Sequence, residues 1–119
     1  MIESVAWADA ELECIEVDYD DVSIQLTESL TGQVKRIRCC GHIGFQFLGF
    51  WDEIVVESIR LETEHEFLVS CLGNLDRRYP HGLPETGQEM RNNRSWRVLV
   101  LRLSDGAEFH VVANEFLVE

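Results

Sequence analysis

Over its first 34 residues this 119-residue chain has no lysine or arginine, while nine acids fall there (Glu3, Asp9, Glu11, Glu13, Glu16, Asp18, Asp20, Asp21 and Glu28). The whole chain has 10 basic against 22 acidic residues, a net charge of −12. A surface with that balance repels a phosphate backbone, so nucleic-acid binding is not expected. The longest uncharged run, "CCGHIGFQFLGFW", has 13 residues and three glycines. That is too short and too broken to span a membrane. No basic end followed by an apolar run opens the chain, and the expectation is a soluble, cytoplasmic protein.

Motifs that carry chemistry are as scarce. Cys14, Cys39, Cys40 and Cys71 form no C-x-x-C pair, the spacing of zinc and redox sites. On a strand Cys39 and Cys40 point to opposite faces, so they do not share a metal. The cysteines read as small hydrophobes of the core. The glycines near residue 44 lead into no helix with Lys and Ser or Thr, which removes a phosphate loop. No serine sits in a G-x-S-x-G turn. His42, His65, His81 and His110 lie in four different elements with no H-x-H or H-x-x-x-H pair. Only convergence in space of His42, Asp52 and His81 would make a metal or catalytic site. No catalytic residue and no cofactor is predicted.

What is present is a β pattern. Apolar content of 45% and charged content of 27% fit one globular domain. "DVSIQLT" (21–27) alternates strictly, with Val22, Ile24 and Leu26 on one face. "ELECIEV" (11–17) slips phase by one, which predicts a β-bulge. "DYDD" between them supplies an aspartate-capped turn, giving an antiparallel hairpin. "VKRIRCC" (34–40) is a third strand, with Lys35 at its solvated edge. "GHIGFQFLGFWDE" reads as a glycine-bent corner and a further strand, Phe45, Phe47, Phe50 and Trp51 supplying core mass. "EIVVESIRLE" is a strand with Val55, Ile59 and Leu61 on one face.

A short helix is predicted near 64–72. Thr63 and Glu66 have capping-box spacing, and Gly73 sits where a left-handed terminal residue belongs. Residues 73–94 hold both prolines and no periodicity, so they read as a long loop. "WRVLVLRL" and "EFHVVANEFLVE" flank "SDGA", a hairpin signal. Leu99, Leu101 and Leu103 face one way and Trp96, Val98 and Val100 the other, which puts this strand in the middle of a sheet covered on both sides. The fold class is α+β and mostly β: an antiparallel sheet of about six or seven strands curled into an open barrel or half-barrel, with one helix.

"WADAELECIEVDYDDVSIQL", "IRCCG", "WDEIVV" and the "DG" hairpin ending in "VVANEF" together resemble a loose group of small bacterial β-rich proteins of unknown function. Some members of that group are taken to be immunity proteins that neutralise toxins of polymorphic toxin systems. Members often carry His before the Asp of the opening motif, where this chain has Ala8 before Asp9; the resemblance lends no catalytic residue.

The acids either pair with the arginine-rich 77–102 segment inside the monomer or form a docking surface for a basic protein partner. The favoured function is a small acidic interaction protein, of the kind that inhibits a basic toxin, with Glu11, Glu13, Glu16, Asp18, Asp20 and Asp21 as the contact residues. Two rivals remain: a ligand-binding cavity inside the curled sheet, lined by Trp51, Trp96 and the phenylalanines, and a metal-dependent enzyme near His42, Asp52 and His81. The last strand, if at an edge, would allow a homodimer.

Overall fold

The computed structural model describes residue 2, residues 5–78 and residues 96–119. Among the described residues eight strands and one helix follow one another as β1 (Glu11–Val17), β2 (Asp21–Thr27), β3 (Val34–Cys40), β4 (Gly44–Leu48), β5 (Val56–Glu62), α1 (Glu66–Arg78), β6 (Arg97–Leu103), β7 (Glu108–Ala113) and β8 (Glu115–Val118). The fold is mostly β with one helix, as the pattern predicts. It is not one sheet of six or seven strands. Two four-stranded antiparallel sheets form instead, ordered β1-β2-β3-β8 and β4-β7-β6-β5.

The split has a local cause. Only three residues separate β3 from β4 and only Asn114 separates β7 from β8. At these two breaks the chain leaves one sheet and enters the other. Gly41 makes the first bend at a φ of 65°, a left-handed conformation open to glycine. A Cβ there would stand 3.4 Å from the Asn114 side chain, so the two bends lie against each other.

Between the sheets lies the main core. Val22, Ile24, Leu26, Ile37 and Cys39 from the first sheet meet Val56, Ile59, Leu99, Leu101, Leu103, Phe109 and Val111 from the second. Each such side chain contributes about 1.5–3 kcal/mol by leaving water. β6 is central and buried on both faces, as its sequence predicts. Its leucines enter this core, while Val98, Val100 and the preceding Trp96 pack with Leu68 and Cys71 of α1 on the far side. Three layers result: sheet, sheet, helix.

Several local expectations hold. β1 and β2 form the antiparallel hairpin, and the register shifts between Leu12 and Cys14, where the phase slip predicts a bulge. β6 and β7 form the Asp-Gly hairpin, with Gly106 at a φ of 93°. Cys39 is buried while Cys40 faces the opposite side. Lys35, at the rim, pairs with Glu28 at 2.9 Å.

Others are corrected. β5 carries a second register shift, between Val56 and Ser58, so Val56 rather than Val55 joins Ile59 in the core. The helix starts at Glu66, not 64, and its cap is His65, whose Nδ1 accepts the Phe67 N–H at 3.1 Å, not Thr63. It runs through Gly73 to Arg78 instead of ending at 72. Leu72 and Leu75 extend the apolar stripe begun by Leu68 and pack on the same cluster, which outweighs the roughly 1 kcal/mol that an internal glycine costs. The remainder of the predicted 73–94 loop, with His81, lies outside the described residues. Phe45, Phe50 and Trp51 are not core: they are 47%, 82% and 47% exposed, and of the four rings only Phe47 packs against the main core.

Gly44 is where α1 meets the sheet. A Cβ at this position would come 2.5 Å from Cys71 Sγ and 3.3 Å from the Phe67 ring. Helical backbone restricts the rotamers by which Sγ could withdraw. Gly44→Ala is therefore expected to lower unfolding free energy by about 1–3 kcal/mol in urea denaturation. Cys71→Ala introduced into the same chain should recover part of that loss, a coupling that the double-mutant cycle reads directly.

Candidate interaction surface

The six predicted acids fall into two groups. Glu11 and Glu16 project from the outer face of edge strand β1, and Glu13 occupies its bulge, accepting a hydrogen bond from Thr27 Oγ1 at 2.9 Å. The second group builds the turn. Asp18 Oδ1 accepts the Asp21 N–H at 2.8 Å and the Asp20 N–H at 2.9 Å. Those two bonds, the one from Asp21 first, hold the Asp18 carboxyl below its usual range. The Asp18 carbonyl takes the His42 Nε2–H at 2.9 Å, and the Gly41 N–H reaches the Asp20 carbonyl at 2.9 Å. Asp18 is thus a strut that ties the acidic turn to the β3–β4 bend. Asp20 stays exposed and Asp21 is half-buried opposite Cys40.

Ion pairs are concentrated away from this hairpin: Glu28 with Lys35, Glu57 and Glu108 with Arg102, Glu62 with Arg60, and Glu119 with Arg38. Glu11, Glu13, Glu16, Asp18, Asp20 and Asp21 form no salt bridge with any described residue. The pairing of the hairpin with arginines of the 77–102 segment is not seen among the described residues.

A second polar group centres on His110, a strand histidine that the sequence reads as surface-facing or as a satisfied core polar group; the second holds. On the helix-side face of the second sheet, His110 is 2% exposed. Its Nδ1 accepts from Gln46 Nε2 at 2.9 Å, and its Nε2–H donates to Glu108 Oε1 at 2.9 Å. The His65 ring meets it edge-on at 4.8 Å between centroids, with Phe67 at 6.0 Å. Glu108 also takes Arg102 Nη1 at 3.3 Å, and Arg102 Nε reaches Glu57 at 2.6 Å. A carboxylate behind an imidazole is the arrangement of a general base. Here both ring nitrogens are engaged and the ring is buried, so no lone pair faces a reactant; the group braces β4, β7 and β6. The Glu108–His110 spacing in one strand is visible in sequence. Gln46, 64 residues away, is not.

The rival sites come apart. His42 lies just before β4 and Asp52 just after it, at opposite ends of the strand. Among the described residues no group of three or more His, Cys, Asp or Glu could hold a metal ion. Burial pushes the thiols of Cys39, Cys40 and Cys71 up, away from the reactive thiolate. Trp51 stacks on Phe47 at 5.5 Å toward the inter-sheet side, whereas Trp96 packs with α1. The two tryptophans therefore line no common cavity. No helix among the described residues is long and apolar enough to cross a membrane. Comparison of the chain with family models, curated proteins and solved structures finds no match.

The Glu108 carboxyl is held below its ordinary value of 4.5, first by the His110 hydrogen bond. A depressed carboxylate adds stability that is present above its unfolded pKa and is lost as pH falls through the folded one. In urea titrations from pH 6 to pH 3, stability should fall below about pH 4.5, and Glu108→Gln should flatten part of that fall. Asp18, held low by the Asp21 N–H, and Glu28, held low by Lys35, retain the rest. An unchanged acid limb in Glu108→Gln would contradict the bracing role.

Proposed function

We propose that this protein is a stoichiometric binding module whose acidic β1–β2 hairpin docks a basic protein partner, as an inhibitor that neutralises a basic toxin would. The observation that carries the reading is the contrast in pairing. Five described acids outside the hairpin pair with lysine or arginine, while none of the six on it forms a salt bridge with a described residue. Leaving like charges together on one hairpin costs repulsion that pairing would remove. A partner of opposite potential offsets that cost, gains association rate by steering, and discriminates against acidic competitors. The raised thiols and fully engaged His110 support a role in which binding itself is the activity.

The test separates steering from scaffolding. Asp18 builds the turn, so the informative variant leaves it intact and combines Glu11→Gln, Glu16→Gln, Asp20→Asn and Asp21→Asn. Thermal and urea midpoints should stay near wild type, since each such surface substitution, at three exposed positions and the half-buried Asp21, changes stability by about 0.5 kcal/mol or less. Association with basic proteins encoded beside this chain's own coding sequence, followed by stopped-flow fluorescence, should slow about 10- to 100-fold at low salt, with a shallower salt dependence. Equal rates for variant and wild type at every salt concentration would reject the hairpin as the docking surface.

A further inference from the structure

β4 ends its sheet: it pairs with β7 on one side and with no strand among the described residues on the other. Phe45 lies opposite Val111 and Phe47 opposite Phe109, so both rings point to the inter-sheet side. There they form a row, with Phe109 6.2 Å from Phe45 and 6.4 Å from Phe47, and Trp51 stacked on Phe47. The first sheet leaves much of that row uncovered. Phe45 and Trp51 are each 47% exposed, with Leu48 and Phe50 beside them still more open. A free strand edge with exposed rings invites pairing with another chain, and nothing on β4 blunts it: there is no lysine, no proline and no bulge along Gly44–Leu48.

The charge around the edge selects the occupant. No lysine or arginine occurs from residue 39 to 59. Beyond one end of β4, Asp52 and Asp105 share an open depression with Phe50. At the other, His42 is bonded to the acidic turn at Asp18 and its ring meets Phe45 at 6.2 Å. A second copy pairing antiparallel on this edge would bring Asp52 of one chain towards the Asp18 turn of the other, acid against acid. Parallel pairing would superpose each acidic end on itself. Like-charge juxtaposition costs several kcal/mol, which disfavours the homodimer at this edge.

We infer that the open edge of β4, with Phe45, Phe47 and Trp51, takes up an extended segment of a partner protein in which apolar residues alternate with lysine or arginine. Backbone hydrogen bonds to β4 hold the segment, its apolar side chains cover the rings, and its cations meet the acids at either end. The inference rests on the reading of the protein as a binder of basic partners and specifies how one part of such a partner is held. It makes the hairpin the steering element and β4 the anchoring one.

The probe is a fluorescein-labelled, end-blocked octapeptide alternating valine and lysine, titrated by anisotropy against the full chain. Hydrogen exchange is followed by NMR in parallel. Binding is expected, with new protection at the alternate β4 amides that do not bond β7. A peptide N-methylated at every second residue, which keeps the charge but cannot pair, should bind about tenfold more weakly or worse. Phe45→Lys and Trp51→Lys should weaken the unmodified peptide by a similar factor while leaving exchange in β6 unchanged.

Four results overturn the inference: no binding at low salt, indifference to N-methylation, protection at β1 instead of β4, or a concentration-dependent dimer that protects β4 without peptide. In the second and third the hairpin reading survives. It is tested separately by the hairpin variant, which alters association rate without touching the β4 edge.

Discussion

Everything in this fold follows from the burial of β6 on both faces. Leu99, Leu101 and Leu103 are fully buried on one side, and Val98 and Val100 are fully buried on the other. Each is worth about 1.5–3 kcal/mol removed from water, against about 0–1 kcal/mol for the exposed ion pairs on the rims. A strand with that composition is stable only as the middle of three layers. One sheet must cover the leucines and another element must cover the valines. The helix takes the second task and can approach because β4 presents Gly44 where a side chain would strike Cys71.

The same demand explains the two bends. β3–β4 and β7–β8 each serve both sheets, turning at Gly41 and Asn114 so that the described residues supply eight strands around a shared core. A consequence of bending is incomplete overlap. Past the Gly41 turn β4 runs on without a strand on its far side among the described residues, and the rings it carries are left half-covered. The acidic turn at Asp18 is tied to that same bend through His42 and Gly41. The proposed steering surface and the proposed anchoring edge therefore meet at one corner of the molecule, because the bend that creates one positions the other.

Two polar clusters show how charge is distributed under these constraints. Glu108, Arg102, Glu57 and His110 bond to one another beside the helix, where a buried imidazole needs both its nitrogens satisfied. The hairpin acids have no such duty, apart from Asp18 in the turn and Glu13 in its bond to Thr27. Residues of one chemical type thus divide by location into those that brace the fold and those that project into solvent.

Much of this was legible in the chain itself. Strict alternation placed β2, an apolar run with both faces hydrophobic placed β6, a one-residue phase slip located the bulge in β1, and Asp-Gly marked the β6–β7 hairpin, because each is a local consequence of side-chain direction and backbone preference. Local signals misjudged the helix end, since Gly73 is an adequate stop until Leu75 finds an apolar partner across the layer. They also misassigned Phe45, Phe50 and Trp51 to the interior, because hydrophobicity says that a ring gains from burial and not whether a second sheet reaches it. The division into two sheets, the joining of Gln46 to His110, and the exposure of β4 all depend on contacts between residues far apart in the chain. Periodicity has no access to such contacts, and only the three-dimensional packing decided them.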